Sequence, residues 1–483
     1  MLSQVLWASL PIICMLVLLG CGLTSVLGAG CAGLLIALSE AHLGYFPQTL
    51  GVTSALVEIT KGTWVAWQSA SVVAAGFFFY SSVRSARQVT EQNGTDRGFS
   101  HRRLWLICFL VGPIAESATG VGVGAIIALP AILKLGLNGT PAVILSLYSQ
   151  MLVPWGALGV GTVVGAALAH VPLGMLSFTT AILTAPLLLG YLILFWRFTN
   201  LSGHRTSRSQ KLDDLLWTCA LAVALVTATW FVAVELGVIV SGGLVLLARW
   251  WRDERPSYRQ ATETVSSLWP YIILIGGLLL TRAVLPLRHA LVSVLSIRPF
   301  ANLPEYAPLY NPSAILLVCG LGTFVVRDRS RQIIPAFAET LRRTWRPISI
   351  TAVFLATAQI LASGGAASMI GVWLKHSLGQ AAQLLTPTIG GLGGFLVGSN
   401  AASTGMLMPI QVALGLDNSL WQAAVQNASA SNFTLLSPSR IGMAVALANL
   451  SGGERTVYAK IWPIAAMLVA VLTIEAMFIL QLS

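Results

Sequence analysis

The sequence predicts an all-α membrane protein that crosses the bilayer roughly 12 to 14 times. Two properties of its 483 residues support this prediction: 56% of them are hydrophobic, and only 9% are Asp, Glu, Lys or Arg. Soluble proteins contain about 25% charged residues, because their surface faces water. A chain with so few charges must place most of its surface against lipid instead.

The apolar residues form long runs, many of them near the ~20 residues that a helix needs to cross the hydrocarbon core. These runs are apolar on all sides, whereas the strands of a membrane barrel alternate apolar and polar residues. They are therefore predicted to be helices. Clear examples lie at 7–19, 174–196, 215–236, 271–285 and 462–480.

Basic residues are concentrated in short segments between the apolar runs. This distribution is typical of cytoplasmic loops. It accounts for the net charge of +11 without a nucleic-acid partner, which would need basic and aromatic residues on a soluble face. Three predicted spans precede the first segment, so the N-terminus is expected outside. The segments are 84–103, 197–211, 249–259, 327–346 and, more weakly, 440–460.

No polar segment is long enough to form a separate domain, because the longest holds only about 20 residues. Residues 1–483 are therefore predicted to form one integral membrane domain. The six cysteines and six histidines have no metal-ligand spacing, and there is no Walker A loop. We accordingly expect no metal, no cofactor and no transport driven by ATP.

Two regions, 104–170 and 384–450, interrupt the apolar pattern in the same way. Each has a break rich in Gly and Ser or Thr, then a helix, then a second polar break that contains proline. Because the freed backbone groups cannot face lipid, they must face protein or a water-filled cavity. The breaks lie at 111–124 and 148–159, and at 390–405 and 426–440.

Paired interruptions in two halves of a chain are typical of secondary transporters, in which half-helix N-termini offer N–H donors to an anion. The alternative is that Gly and Ser only let helices pack closely. The match between the regions favours an inverted repeat with discontinuous or re-entrant helices. Its N-terminal core would be 104–170 and its C-terminal core 384–450.

Four motifs in these breaks resemble motifs of the lactate permease family, in the same order. Glu116-Ser-Ala-Thr-Gly-Val-Gly is similar to Glu-Gly-Ala-Ala-Gly-Phe-Gly, and Trp155-Gly-Ala-Leu-Gly to Phe-Gly-Ala-Met-Gly. Val397-Gly-Ser-Asn-Ala-Ala-Ser is similar to Thr-Gly-Ser-Asp-Thr-Ser-Ser, and Leu436-Ser-Pro-Ser-Arg-Ile to Ile-Ser-Pro-Gln-Ser-Ile. Weaker similarity extends over almost the whole chain.

The resemblance implies a multi-pass inner-membrane symporter that takes up lactate, glycolate or a related 2-hydroxy acid with protons. Three departures are notable: Asn400 replaces an acid, Gln150-Met-Leu-Val-Pro replaces Asn-Thr-Ala-Pro, and Arg440 occupies a position that is usually uncharged. They leave open sodium coupling, exchange, or another small organic anion. A homodimer is expected only by analogy with other transporters that have such repeats.

Glu116 is the first candidate for proton coupling. A charge at membrane depth costs at least ~2.5–3.5 kcal/mol, so intramembrane acids usually have a function. The alternative is a structural pairing with an internal base. Glu235 has a counterpart in the family that the motifs resemble, and it is the second candidate.

The candidate substrate ligands are neutral hydrogen-bonding groups and one arginine in or beside the breaks. Such groups can bind the hydroxyl and carboxylate of a hydroxy acid, or they can satisfy the local backbone. A guanidinium suits a carboxylate, but near a helix end it can be an ordinary cytoplasmic charge. The candidates are Ser117, Thr119, Gly120, Gln150, Trp155, Ser399, Asn400, Ser403, Thr404, Asn427, Ser437 and Arg440.

Two other classes fit the sequence less well. An intramembrane enzyme would need a catalytic set such as paired acids or the zinc motif His-Glu-x-x-His, and the sequence has no such zinc motif and no acidic pair at the right depth. A channel usually builds its filter from rings of repeated loops or charges. A two-fold internal repeat favours a transporter instead.

Overall fold

A computed structural model describes residues 2–87, 99–120, 122–415, 418–450 and 452–482. Nearly all of them are helical, and the only β-type pairing in these ranges is one bridge between Ile297 and Tyr306. The predicted all-α class is therefore confirmed. The helices are α1 (Leu2–Gly20), α2 (Val26–Leu43), α3 (Val52–Arg87), α4 (His101–Leu106), α5 (Gly112–Thr119), α6 (Val123–Lys134), α7 (Gly139–Ser146), α8 (Gly156–Ala169), α9 (Leu173–Leu201), α10 (Arg208–Phe231), α11 (Gly237–Glu254), α12 (Tyr258–Ala283), α13 (Leu285–Val294), α14 (Pro312–Val326), α15 (Ile333–Ser363), α16 (Ala366–Leu378), α17 (Thr386–Val397), α18 (Asn400–Leu414), α19 (Ser419–Phe433), α20 (Pro438–Leu447) and α21 (Glu454–Leu482).

Seven helices in the described part of the chain are long and apolar enough to cross a membrane, which fits a polytopic membrane protein. Two bent pairs raise the number to nine if each pair is one span: Gly139–Gln150 with Val153–Ala169, bent by 51°, and Tyr258–Ser266 with Leu268–Ala283, bent by 72°. Discontinuous helices are thus present. The predicted 12 to 14 crossings would also have to include shorter helices. The seven are Ser3–Gly20, Val26–Leu43, Leu173–Leu201, Arg208–Phe231, Val234–Glu254, Ser330–Ser363 and Glu454–Gln481.

The first predicted break separates α5 from α6. Gly120 and Gly122 have φ of 72° and 85°, a left-handed conformation that glycine adopts without steric cost. The two helices then pack closely, because a Cβ on Gly124 would lie 2.5 Å from the carbonyl oxygen of Gly112. The α6 helix also contacts the π-helical segment Ile107–Val111 that precedes α5. The two helices therefore form a hairpin.

The second break lies at the start of α8. It contains the 3-10 turn Val153–Trp155 and three consecutive left-handed residues, Ala157, Leu158 and Gly159, with φ of 49°, 56° and 82°. For a residue with a side chain this conformation costs about 1–2 kcal/mol. Surrounding contacts must hold Ala157 and Leu158 in place.

The C-terminal region has the same order of helices and breaks. Gly398, with φ of 68°, ends α17, and Ser399 caps α18. The 3-10 turn Thr434–Leu436 follows α19, and Ser437 caps α20. The series α5, α6, α7, α8 thus has its counterpart in α17, α18, α19, α20. That the two series are related by inverted symmetry remains a prediction.

Glycine allows the helices around these breaks to approach closely. A Cβ on Gly394 of α17 would lie 2.0 Å from the carbonyl oxygen of Ala430 in α19. A Cβ on Gly62 of α3 would lie 2.5 Å from the backbone nitrogen of Ala356 in α15. Small residues at membrane helix interfaces permit this approach of backbones, which here brings the breaks together.

Candidate functional site

All four breaks meet at one cavity of about 360 Å³, called here the site cavity. Its remaining wall comes mainly from α3 and α15, which contribute Ser69 and Thr351 among others. The apolar pattern of the sequence is therefore interrupted at the segments that place backbone and polar groups beside this cavity. From the breaks, the lining includes Glu116 and Gly120, then Val153, Gly156 and Ala157, then Gly398, Ser399 and Asn400, and finally Ser439 and Arg440.

Glu116 holds the tip of the α5–α6 hairpin. Its side chain is 2% exposed, and its two carboxylate oxygens accept hydrogen bonds from the backbone N–H groups of Gly122 (3.0 Å) and Gly124 (2.9 Å). These amides belong to the first turn of α6, where the helix dipole favours a negative charge. The buried carboxylate is thus satisfied by the backbone at the cavity wall.

Arg440 brings a positive charge to the same wall. Its Nη2 lies 3.8 Å from Oε1 of Glu116, which is an ion pair too long to be a hydrogen bond. A Cβ on Gly122 would lie 2.4 Å from Nη1 of Arg440, so the glycine makes room for the guanidinium. The hydroxyl of Ser437 positions the backbone of Arg440 by accepting a hydrogen bond from its N–H (3.4 Å).

A second guanidinium, that of Arg346 in α15, also lines the site cavity. It lies 5.4 Å from the ring centre of Trp345, and no carboxylate in the described ranges pairs with it within 4 Å. The cavity wall therefore carries two guanidinium groups and one carboxylate. This balance gives the cavity a positive potential, which attracts small anions.

Behind the cavity wall, a buried network of side-chain hydrogen bonds joins four helices. Asn400 of α18 donates to Oδ1 of Asn427 in α19 (3.0 Å) and accepts from Thr404 (3.0 Å). Asn427 donates in turn to the hydroxyls of Thr162 in α8 (3.0 Å) and Thr180 in α9 (3.2 Å). Asn427 is the hub, because its amide joins both halves of the chain.

Replacing Asn427 with Leu should lower the free energy of unfolding by about 3 kcal/mol or more. The substitution keeps most of the volume but leaves the polar groups of Asn400, Thr162 and Thr180 buried without this partner, at ~1–3 kcal/mol each. Thermal unfolding in detergent measures the loss. Asn302→Leu, at an exposed position, is the matched control. Equal melting temperatures for the two variants would contradict the role of Asn427 as hub.

Five of the predicted site residues line the cavity: Glu116, Gly120, Ser399, Asn400 and Arg440. They come from three of the four breaks, which are distant in sequence. The structure therefore brings together the acid, the arginine and the polar groups of the C-terminal break. Substrate contact by each of these residues remains a prediction.

Three predicted residues of the N-terminal region make hydrogen bonds within the protein and lie outside the cavity lining. Ser117 donates to the carbonyl oxygen of Trp155 (3.0 Å), and the indole N–H of Trp155 donates to Ser177 (2.9 Å). Thr119 donates to the carbonyl oxygen of Ala115 (2.6 Å). These contacts hold the two N-terminal breaks against each other and against α9.

The other predicted ligands also lie outside the lining. Thr404 and Asn427 belong to the buried network, and Ser437 caps α20. Gln150 donates to Ser149 (3.2 Å), but its Oε1 has no described partner, and neither has the buried hydroxyl of Ser403. A direct substrate role for these residues remains a prediction.

Glu235 lies away from the site cavity. It sits in the 3-10 turn Val234–Leu236, and its Oε1 is 3.2 Å from Nη2 of Arg282. The same guanidinium donates to the carbonyl oxygen of Tyr310 (3.0 Å). Glu235 is thus part of an ion pair at a second cavity, and its role in proton coupling remains a prediction.

Several residues of the site were not among the candidates from the sequence. Arg346 belonged to a segment predicted to be a cytoplasmic loop, but α15 begins at Ile333 and carries the arginine on a helix. Ser439 could have been found, because it stands inside a quoted motif. Thr162 and Thr180 had no local signal, because each is a single threonine in an apolar helix.

Comparison with known proteins agrees with this architecture. The family described as L-lactate permease matches residues 4–483. The chain is 24% identical to the L-lactate permeases of Salmonella typhimurium and of Escherichia coli K12 over 484 residues, covering 88% of this chain and 86% of each relative. The chain therefore belongs to the L-lactate permease family of membrane transporters.

Proposed function

We propose that this protein takes up a small 2-hydroxy monocarboxylate across the inner membrane together with a proton, with lactate and then glycolate as the first candidates. The observation that supports this most is the pairing of a buried acid, Glu116, with Arg440 in the cavity where all four breaks meet. The printed names of the relatives, L-lactate permease, support the choice of substrate.

The groups at the cavity suit such an anion. The guanidinium of Arg440 makes no hydrogen bond to a described protein group, so its donors are available to a carboxylate. The N-terminus of α18, capped by Ser399, borders the same space, and helix N-termini favour anions. The hydroxyls of Ser399 and Ser439 can pair with the 2-hydroxyl group. A volume of about 360 Å³ is at the small end of the ~300–1,000 Å³ of ligand pockets.

The contact between Glu116 and Arg440 supports a coupling mechanism. The ionised carboxylate attracts the guanidinium and competes with a substrate carboxylate for it. A proton on Glu116 removes that competition, so proton binding strengthens substrate binding. By linkage, substrate binding strengthens proton binding by the same factor. The cavity would then fill with one proton and one anion together, which is the requirement for symport.

Uptake of labelled L-lactate into proteoliposomes tests this proposal. With an imposed pH gradient, the wild type should accumulate lactate. The Glu116→Gln variant should accumulate at least about tenfold less, because its side chain cannot bind and release the proton. Lactate exchange between the two sides should persist in the variant, since exchange needs no net proton movement.

The matched control is Glu263→Gln, which removes an exposed acid that pairs with Arg259 in α12. Its uptake should equal that of the wild type. A sodium gradient imposed at constant pH decides between the coupling ions. Accumulation driven by sodium alone, and unchanged in Glu116→Gln, would contradict proton coupling and favour the sodium alternative.

A further inference from the structure

A second cavity, of about 550 Å³, lies next to the site cavity and is separate from it. Its wall contains Val163 of α8, Glu235, Arg288 of α13 and Tyr310. Ser69 of α3 and Val160 of α8 line both cavities. These two side chains therefore stand between the two spaces.

The α8 side of this wall is the left-handed segment of the second break. Ala157 faces the site cavity, and its neighbour Leu158 faces the second cavity. Both residues have positive φ, which side chains adopt only when their surroundings impose it. The segment 157–160, together with Ser69, is called here the partition.

The α5–α6 hairpin and the start of α18 both pack closely at the partition. A Cβ on Gly120, at the tip of the α5–α6 hairpin, would lie 2.7 Å from Cβ of Ala157. Gly161, next to the partition, touches Asn400, because a Cβ on Gly161 would lie 2.2 Å from the amide nitrogen of Asn400. A shift of Gly120 or of Asn400 would therefore displace Ala157 or Gly161, at the two ends of this segment.

The second cavity extends beyond the site cavity toward one end of the helices. Both cavities meet α3 and α8 at the same level, through Ser69 and Val160, and the site cavity meets α15 near its middle, at Arg346. The helix α12 starts in the basic segment 249–259 and leads away from it, and α14 leads back to Arg327. The stretch 285–311 between them lines the second cavity and so lies at the face opposite the basic segments.

We propose that the second cavity is the outer half of the path of the transported anion, and that the partition is the barrier the anion crosses to reach the site cavity. This inference rests on the proposed transport function. The strained backbone at residues 157 and 158 and the contacts with Gly120 and Asn400 make the partition the part of the wall that changes when the site fills.

Labelling with a membrane-impermeant thiol reagent from each face tests the path without any substrate. Met443→Cys reports on the site cavity and Val163→Cys on the second cavity, with peptide-resolved mass spectrometry to separate them from native cysteines. Ser330→Cys, in the basic segment, and Asn302→Cys, in the opposite stretch, are exposed controls that identify the two faces. Met443→Cys should react from the face of Ser330→Cys, and Val163→Cys from the face of Asn302→Cys.

Reaction of both cavity positions from one face, or failure of either to react while both controls do, would overturn the proposal. This result differs from failure of the proposed function, in which the wild type would not carry lactate although the labelling pattern held.

A larger side chain at Val160 tests the barrier itself. Val160→Trp should reduce L-lactate uptake by roughly tenfold or more, because the larger side chain fills the partition. Val326→Trp, the same change at an exposed position of α14, should transport normally. Normal uptake in Val160→Trp, with the protein shown to be folded, would overturn the assignment of the partition.

Discussion

Replacing Arg440 with Gln should reduce L-lactate uptake by about 100-fold or more. The substitution removes a charged donor at the cavity wall and leaves Glu116, 3.8 Å away, facing the substrate carboxylate without a positive charge between them. Loss of one partner of a desolvated charge pair costs ~2–5 kcal/mol, which corresponds to this change in affinity. Initial rates over a range of lactate concentrations should show the effect mainly as a higher KM.

Two further variants separate charge from geometry. Arg440→Lys keeps the charge but loses the planar fork that matches a carboxylate, so its uptake should fall between those of the wild type and Arg440→Gln. Arg346→Gln removes the exposed guanidinium of the cavity and should have a smaller effect, because solvent screens that charge. Unchanged lactate uptake in Arg440→Gln would show that this arginine does not bind the substrate.

Gly394→Ala should destabilise the protein by about 3 kcal/mol or more, the upper range for overpacking. The new Cβ would lie 2.0 Å from the carbonyl oxygen of Ala430. Both groups belong to helix backbones, so the contact can be relieved only by moving α17 away from α19. That movement would also disturb the third and fourth breaks. Melting temperature in detergent, followed by tryptophan fluorescence, measures the change.

The matched control is Gly276→Ala in α12, where a Cβ would meet no atom within 4 Å. This change should stabilise the protein by up to about 1 kcal/mol, because alanine favours a helix more than glycine does. The two alanine substitutions are therefore expected to have opposite signs. Equal effects would mean that the contact between α17 and α19 relaxes without cost.

The fold class and the positions of the breaks could be predicted because both depend on local chemistry. Long apolar runs with few charges can only be membrane helices. Glycines 120, 122 and 398 lie in the predicted breaks, and each has a positive φ that other residues avoid. Proline at 154 and 438 has the same local effect, because it lacks the N–H that a helix interior requires.

The partners of the site residues could not be predicted, because they depend on contacts between distant segments. Thr179 and Thr184 donate to backbone carbonyls one turn earlier in α9, whereas Thr180 accepts a hydrogen bond from Asn427, 247 residues away. In the sequence these threonines look alike. Glu116 and Glu235 also looked alike as intramembrane acids, but they lie at different cavities.

The threonines of α15 have a mechanical consequence. Thr340, Thr344, Thr351 and Thr357 each donate to the carbonyl oxygen four residues earlier in the same helix. They therefore need no hydrogen-bond partner on neighbouring helices, and α15 meets α18 through apolar contacts such as Leu355 against Gly405. The helices joined through Asn427 are instead cross-linked by hydrogen bonds. A shear of α18 against α15 would therefore break none of these four threonine hydrogen bonds.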